Sequence, residues 1–139
     1  MGAWSHQPFD NDTASDWADV LLDAPDLSYI EATLDRVLEV GGSYLEAPDA
    51  EEGLAAVAVL GQLLGRSKPL VNTPADVAAW IAGIGVRPSA ALLDKARRVA
   101  DRVLAEDSEL AELWDESEDA AAWRTSVAAL RLAVTPPTP

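Results

Sequence analysis

Between Leu54 and Leu64 the chain runs Leu-Ala-Ala-Val-Ala-Val-Leu-Gly-Gln-Leu-Leu, with Gln62 its one polar side chain. A helix drawn through this stretch has no polar face, so it has to be surrounded by protein or by lipid. Lipid fails on length, because a membrane-spanning helix needs about 20 such residues. The run therefore predicts a buried central helix over about residues 48–64, and the rest of the chain has to supply the elements that cover it.

Those elements read as helices, and no convincing strand appears. Ala14, Trp17, Ala18, Leu21 and Leu22 repeat with helical spacing, and Pro25 ends the pattern. Leu27, Ile30, Leu34, Val37 and Leu38 form a second stripe, stopped by Gly41-Gly42. Pro48 or Asp49 opens the central helix, with Asp49, Glu51 and Glu52 near its positive end, and Gly65 closes it. Thr73-Pro74-Ala75-Asp76 starts a short helix with Val77, Trp80, Ile81 and Ile84. A longer one begins at Pro88 and buries Leu92, Ala96, Val99, Ala100 and Val103. Ser108 caps a short segment holding Leu110, Leu113 and Trp114, and Trp123, Val127, Leu130 and Val134 mark the last helix. The expectation is an all-α, irregular bundle of six to seven helices around the central one. It forms a single domain over 1–134, with an ordered N-terminal arm over 1–10 and a mobile Pro-rich tail over 135–139.

A chain of 139 residues is long enough to bury roughly two thirds of its unfolded surface. Zero cysteines and a single histidine, His6, exclude disulfides, a thiolate zinc site, a cysteine nucleophile and multi-histidine metal sites. The N-terminus has no basic region followed by an apolar run, and with the missing cysteines this makes the cytoplasm the expected compartment. The net charge of −14 is uneven, −12 over residues 1–60 and −2 over the remainder. Such a field repels nucleic acid and anionic membrane and attracts cations and basic proteins, besides conferring solubility. Lys95, Arg97, Arg98 and Arg102 stand against this trend, but Asp94 and Asp101 at helical spacing make them a self-neutralised surface.

Four segments carry a family likeness. They are Trp4 and Phe9 with Asp10, Asn11, Asp12 and Asp16 ahead of Trp17; Gly42-Ser43-Tyr44-Leu45-Glu46-Ala47; Ser108-Glu109-Leu110-Ala111-Glu112-Leu113-Trp114; and Trp123-Arg124. Together they resemble a bacterial family defined by domain of unknown function 4259, from residue 1 to about residue 132. In that family small residues, mostly glycine, stand where this chain has Ser5 and Gln7, so a shared turn between Trp4 and Phe9 is not implied. The resemblance implies no activity, cofactor or partner.

The acidic start allows three readings. Asp12, Asp16, Asp19 and Asp23 fall at i, i+4, i+7 and i+11, an acidic ridge opposite Trp17 and Leu21. In the plainest reading Asp10, Asn11 or Asp12 caps the helix and the other acids are solvated. A second reading gathers Asp10, Asp12, Asp16 and Glu46 as oxygen ligands for Ca²⁺ or Mg²⁺, although the calcium-loop pattern fails at Ala14 and Ser15. A third pairs Asp16 with Glu46 for hydrolysis, which requires a pocket and one raised pKa. No phosphate-binding glycine loop is present, and His6 beside Ser5 has no orienting third group.

Trp17, Trp80, Trp114 and Trp123 lie on apolar stripes and read as core, whereas Trp4 with Phe9 either pins the arm or forms an exposed anchor. Glu106 to Asp119 holds eight acids and no base around Leu110, Leu113 and Trp114, a docking rim or a solvated helix, with Arg124 able to pair with Asp115 or Asp119. The sequence thus points to a non-enzymatic interaction or regulatory module that binds a basic protein partner through Asp16, Asp19 and Asp23, anchored by Trp4, Phe9 or Trp114. The alternative is a divalent-cation protein using Asp10, Asp12, Asp16 and Glu46. Without that cation no cofactor is expected, and the sequence sets no oligomeric state.

Overall fold

The computed structural model describes residues 11–64 and 74–135. These form α1 (Asp12–Leu21), α2 (Ser28–Leu38), α3 (Ala47–Leu63), α4 (Ala75–Ile84), α5 (Ala90–Leu104), α6 (Glu109–Asp115) and α7 (Ala120–Ala133). Gly53 through Gly61 of α3 are buried without a break, as a helix with no polar face requires. The six other helices all touch α3 and complete its cover. Its small residues allow this. A β-carbon built on Gly53 meets Val37 Cγ2 of α2 at 2.9 Å and Val99 Cγ1 of α5 at 3.1 Å, so the missing side chain is what lets three helices meet. Buried residues from all seven helices join in one apolar cluster. Among the described residues no helix is long and apolar enough to cross a membrane.

Most helix ends follow the local chemistry. Asn11 is the N-cap of α1, its Oδ1 accepting the Ala14 N–H at 2.7 Å, which decides among the three capping candidates. Gly41 (φ 54°) and Gly85 (φ 65°) turn the chain left-handed after α2 and α4, where a side chain is disfavoured. Pro48 sits within the first turn of α3. Three starts move by a residue or more, that of α3 to Ala47, ahead of the expected Pro48 or Asp49. Pro74 has an extended ψ of 142° and occupies the cap position of α4 instead of its first helical position. The start of α5 lies at Ser89, whose Oγ accepts the Leu92 N–H at 3.1 Å, a bond that Pro88 has no side chain to make. The expected roles of Gly65 and Thr73, the arm 1–10 and tail residues 136–139 lie outside the described residues. Thr135 is tied to α7, its hydroxyl donating to the Arg131 carbonyl at 2.8 Å.

One short pairing interrupts the helical picture. Leu45 and Ser108 form an isolated parallel bridge, with the Leu45 N–H donating to the Asp107 carbonyl at 2.8 Å and the Glu109 N–H to the Leu45 carbonyl at 2.9 Å. Glu109 Oε1 then accepts the Ala47 N–H at 2.8 Å, capping α3 from a distant segment. Ser108 takes the expected N-cap position of α6, but its hydroxyl makes no capping bond and is buried without a hydrogen-bond partner among the described residues.

The basic cluster of α5 is neutralised differently from the expectation. Arg102 turns to backbone, donating to the carbonyls of Gly41 (3.1 Å), Ser43 (2.6 Å), Glu106 (3.0 Å) and Asp107 (3.2 Å). Lys95 bridges to Glu31 and Asp35 of α2 at 2.8 Å each, and Asp101 takes Arg131 of α7 at 2.7 Å. Pairing within α5 is confined to Asp94, at 3.4 Å from Arg97 and 3.9 Å from Arg98. A guanidinium with five donors satisfies several carbonyls at once, which an i, i+4 carboxylate does not offer.

Candidate functional site

α1 docks on the bundle through a polar lock under its apolar face. The Trp17 indole N–H donates to Thr33 Oγ1 at 2.8 Å, and that hydroxyl donates to the Tyr29 carbonyl at 2.9 Å. Tyr29 stacks on Trp17 with centroids 5.4 Å apart, and its hydroxyl reaches the Trp17 carbonyl at 3.4 Å. Burial, with the charge of Glu52 behind it, pushes the Tyr29 phenol above its ordinary value of 10.0, so it stays neutral and keeps its proton to donate. The lock fixes the rotation of α1 and so determines which of its residues face solvent.

Asp12, Asp16 and Asp19 face outward, while Trp17 and Leu21 are 2% and 0% exposed. The ridge is three residues long on the helix, not four. Pro25 cannot continue a helix, and the turn ahead of it tightens, with the Asp23 N–H on the Val20 carbonyl at 3.2 Å and the Ala24 N–H on the Leu21 carbonyl at 2.9 Å. Asp23 is thereby displaced from the helix face to the α1–α2 connector.

That displacement builds a groove of about 410 Å³ between the end of α1 and the start of α2. Val20, Ala24, Pro25 and Tyr29 form its apolar walls, and Asp23, Asp26 and Ser28 its polar rim. Val20 is 55% exposed. Behind the groove, the Trp80 indole of α4 donates to the Ala24 carbonyl at 3.1 Å and steadies the connector. Asp26 Oδ1 accepts the Ser28 backbone N–H at 2.9 Å. This bond and the Ser28 hydroxyl hold the Asp26 carboxyl below its ordinary value of 3.8, so it is charged at neutral pH. Among the described residues no basic side chain lines the groove, and Asp16, Asp19 and Asp23 make no ion pair. Chemically, the arrangement suits a long cationic side chain with an apolar stem. The Ser28 hydroxyl has no histidine or lysine beside it among the lining residues to activate it as a nucleophile.

The remaining candidates are dispersed. Trp4, Phe9 and Asp10 lie outside the described residues. Asp12, Asp16 and Glu46 are each exposed, and among the described residues no group of three or more His, Cys, Asp or Glu is placed to hold a metal ion. Trp114 is not an exposed anchor. It is 6% exposed and stacks on Trp123, centroids 6.2 Å apart, because α6 and α7 pack their apolar stripes together. Part of the acidic segment around it is engaged internally. Arg124 forms a two-pronged pair with Asp115 at 2.8 and 3.1 Å, Glu109 caps α3, and the Asp107 carbonyl joins the bridge.

Glu51 was not singled out by the sequence. It lies half-buried on α3, with the Thr13 hydroxyl as a hydrogen-bond partner and the charges of Asp12 and Glu109 nearby. Burial first, and those charges next, raise its carboxyl above the ordinary 4.5. The missed signal is positional: Glu51 falls three residues before Leu54 and four after Ala47, both buried, on a helix with no polar side.

The fold and the groove define a class: an all-α bundle threaded by a buried helix, with an acid-rimmed groove on one side. The family model for domain of unknown function 4259 (DUF4259) matches residues 2–126, and the chain belongs to that family. No curated protein and no solved structure matches it.

Proposed function

We propose that this protein is an interaction module that binds a basic protein partner through the α1 ridge and the adjoining groove, acting by binding and not by catalysis. The observation that carries the reading is that Asp16, Asp19 and Asp23, unpaired among the described residues, stand beside an exposed apolar wall in a chain whose first Lys or Arg is Arg36. Exposed carboxylates of one sign set attraction and association rate, while desolvated apolar contact supplies residence time. The −12 carried by residues 1–60 extends the attractive field over the same part of the chain.

The test is fluorescence anisotropy with a labelled synthetic peptide of alternating lysine and leucine. The triple substitution Asp16→Asn/Asp19→Asn/Asp23→Asn is expected to weaken binding about tenfold or more, equivalent to about 1.4 kcal/mol. A charge-matched control, Glu112→Gln/Glu116→Gln/Glu118→Gln, is expected to change it far less. Equal losses from the two triples would mean that net charge alone attracts the peptide, and the ridge would lose its claim.

A further inference from the structure

We infer that the α1–α2 groove is a socket for an arginine side chain of the partner, selecting arginine over lysine. This rests on the reading that the ridge receives a basic partner, and names what the groove adds to it. The selectivity begins with the walls. Val20, Ala24 and Pro25 offer apolar side chains with no hydrogen-bond acceptor, so a bare ammonium finds nothing on these walls to replace its water. A long aliphatic stem does find contact, and both Lys and Arg lay such stems on apolar surface while holding the charged head at the edge.

The head group discriminates. An ammonium is compact and strongly hydrated, whereas a guanidinium is planar, weakly hydrated and able to span two acceptors or stack on an aromatic ring. Two carboxylates edge this groove from the same short connector. Asp23 makes no ion pair or hydrogen bond through its side chain among the described residues, while Asp26 has Oδ1 held by the Ser28 N–H at 2.9 Å. That bond, with the Ser28 hydroxyl, orients Asp26 before any ligand arrives. Tyr29 is held in place by Trp17 and stays neutral, so it adds a fixed aromatic ring to the lining and not a second anion. The connector itself is braced by the Trp80 bond to the Ala24 carbonyl, so the socket is preformed, which limits the ordering lost on binding.

The test compares two labelled peptides of equal length and charge, one with four arginines and one with four lysines, each spaced by glycine and serine. The expected result is arginine-peptide binding about five- to tenfold tighter at 0.15 M salt. That preference is expected to vanish in Asp23→Asn/Asp26→Asn and to persist in Asp16→Asn/Asp19→Asn, which removes the same charge from the ridge. Asn at position 26 keeps an acceptor for the Ser28 N–H, so the connector retains its turn. A second variant, Val20→Arg, places the protein's own guanidinium over an exposed position and is expected to abolish the preference without touching an acid. Equal affinity for the two peptides, lost equally in both double variants, overturns the socket and leaves the basic-partner reading standing. Failure of both peptides to bind more tightly than they bind a chain with all four aspartates changed to Asn overturns both.

Discussion

Glu51 shows how one residue converts fold into pH dependence. Its carboxyl is raised in the folded chain by burial and by the charges of Asp12 and Glu109, against the partial relief of the Thr13 hydroxyl. The folded protein therefore holds this proton more tightly than the unfolded chain does. Stability contributed by Glu51 is greatest below the ordinary 4.5 and falls as pH rises from there through the folded value. Glu51→Gln removes the charge and keeps a hydrogen-bonding head. It is expected to raise the urea midpoint at pH 7 and to leave it unchanged at pH 4. An unchanged midpoint at both would show that the ionised form is accommodated without strain. Glu52, one residue on, is also raised despite its 2.8 Å pair with Arg36, because burial outweighs the pair. Neither effect was legible in the sequence, where both read as first-turn acids favoured by the helix dipole. The dipole sees only the helix, and burial depends on what packs over it.

At the level of elements, two glycines inside helices separate local preference from packing. Gly83 lies in α4 with nothing within 4 Å of where a β-carbon would stand, whereas Gly53 lies in α3 against Val37 and Val99. Both read alike in the sequence. Gly83→Ala is expected to stabilise by roughly 0.5 kcal/mol, through the reduced backbone freedom of the unfolded chain. Gly53→Leu gains the same local preference, but has to displace valine side chains that are stiff at χ1. Overpacking of this kind costs about 1–3 kcal/mol, so a net loss of about 1–2 kcal/mol is expected in urea titration. If Gly53→Leu proves as stable as the parent, α2 and α5 do not hold Val37 and Val99 tightly against α3. The stripes of the helices and the glycine ends of α2 and α4 were readable, because they depend on residues close in the chain; of the N-caps, only Asn11 among three candidates and the position of Ser108 were. The truncation of the acidic ridge at Leu21 was half readable: Pro25 announced an end, but not that Asp23 would leave the helix face.

The whole molecule carries −14, and the charge sits mainly in its first 60 residues. Self-repulsion of this kind opposes the compact state and is screened by salt, with a Debye length of about 10 Å at 0.1 M. Raising sodium chloride from low millimolar to 0.3 M is expected to increase the melting temperature by about 4 °C, corresponding to roughly 1 kcal/mol. The slope should flatten in Asp16→Asn/Asp19→Asn/Asp23→Asn. A melting temperature that falls with salt would mean that the ion pairs of α5 with α2 and α7 outweigh the repulsion. In that case the acidic first half is less crowded than its composition suggests.

What the sequence determined by itself is the helical class, the central helix with its buried stretch Gly53 to Gly61, and the acidity of the first helix. Each follows from short-range periodicity or from composition. Tertiary structure decided where the polar groups go. Thr33 lies on the apolar stripe of α2 with Ile30, Leu34 and Val37, yet its partner, the Trp17 indole, is 16 residues away. Glu109 caps a helix that begins 62 residues earlier, and Trp80 braces a connector 56 residues before it. Trp114 turned inward as its place on an apolar stripe announced, and only the structure showed that Trp123 stacks on it. Apolar residues announce their destination, since burial alone satisfies them. A polar side chain is satisfied only by a particular partner at hydrogen-bond distance, and the sequence does not contain that distance.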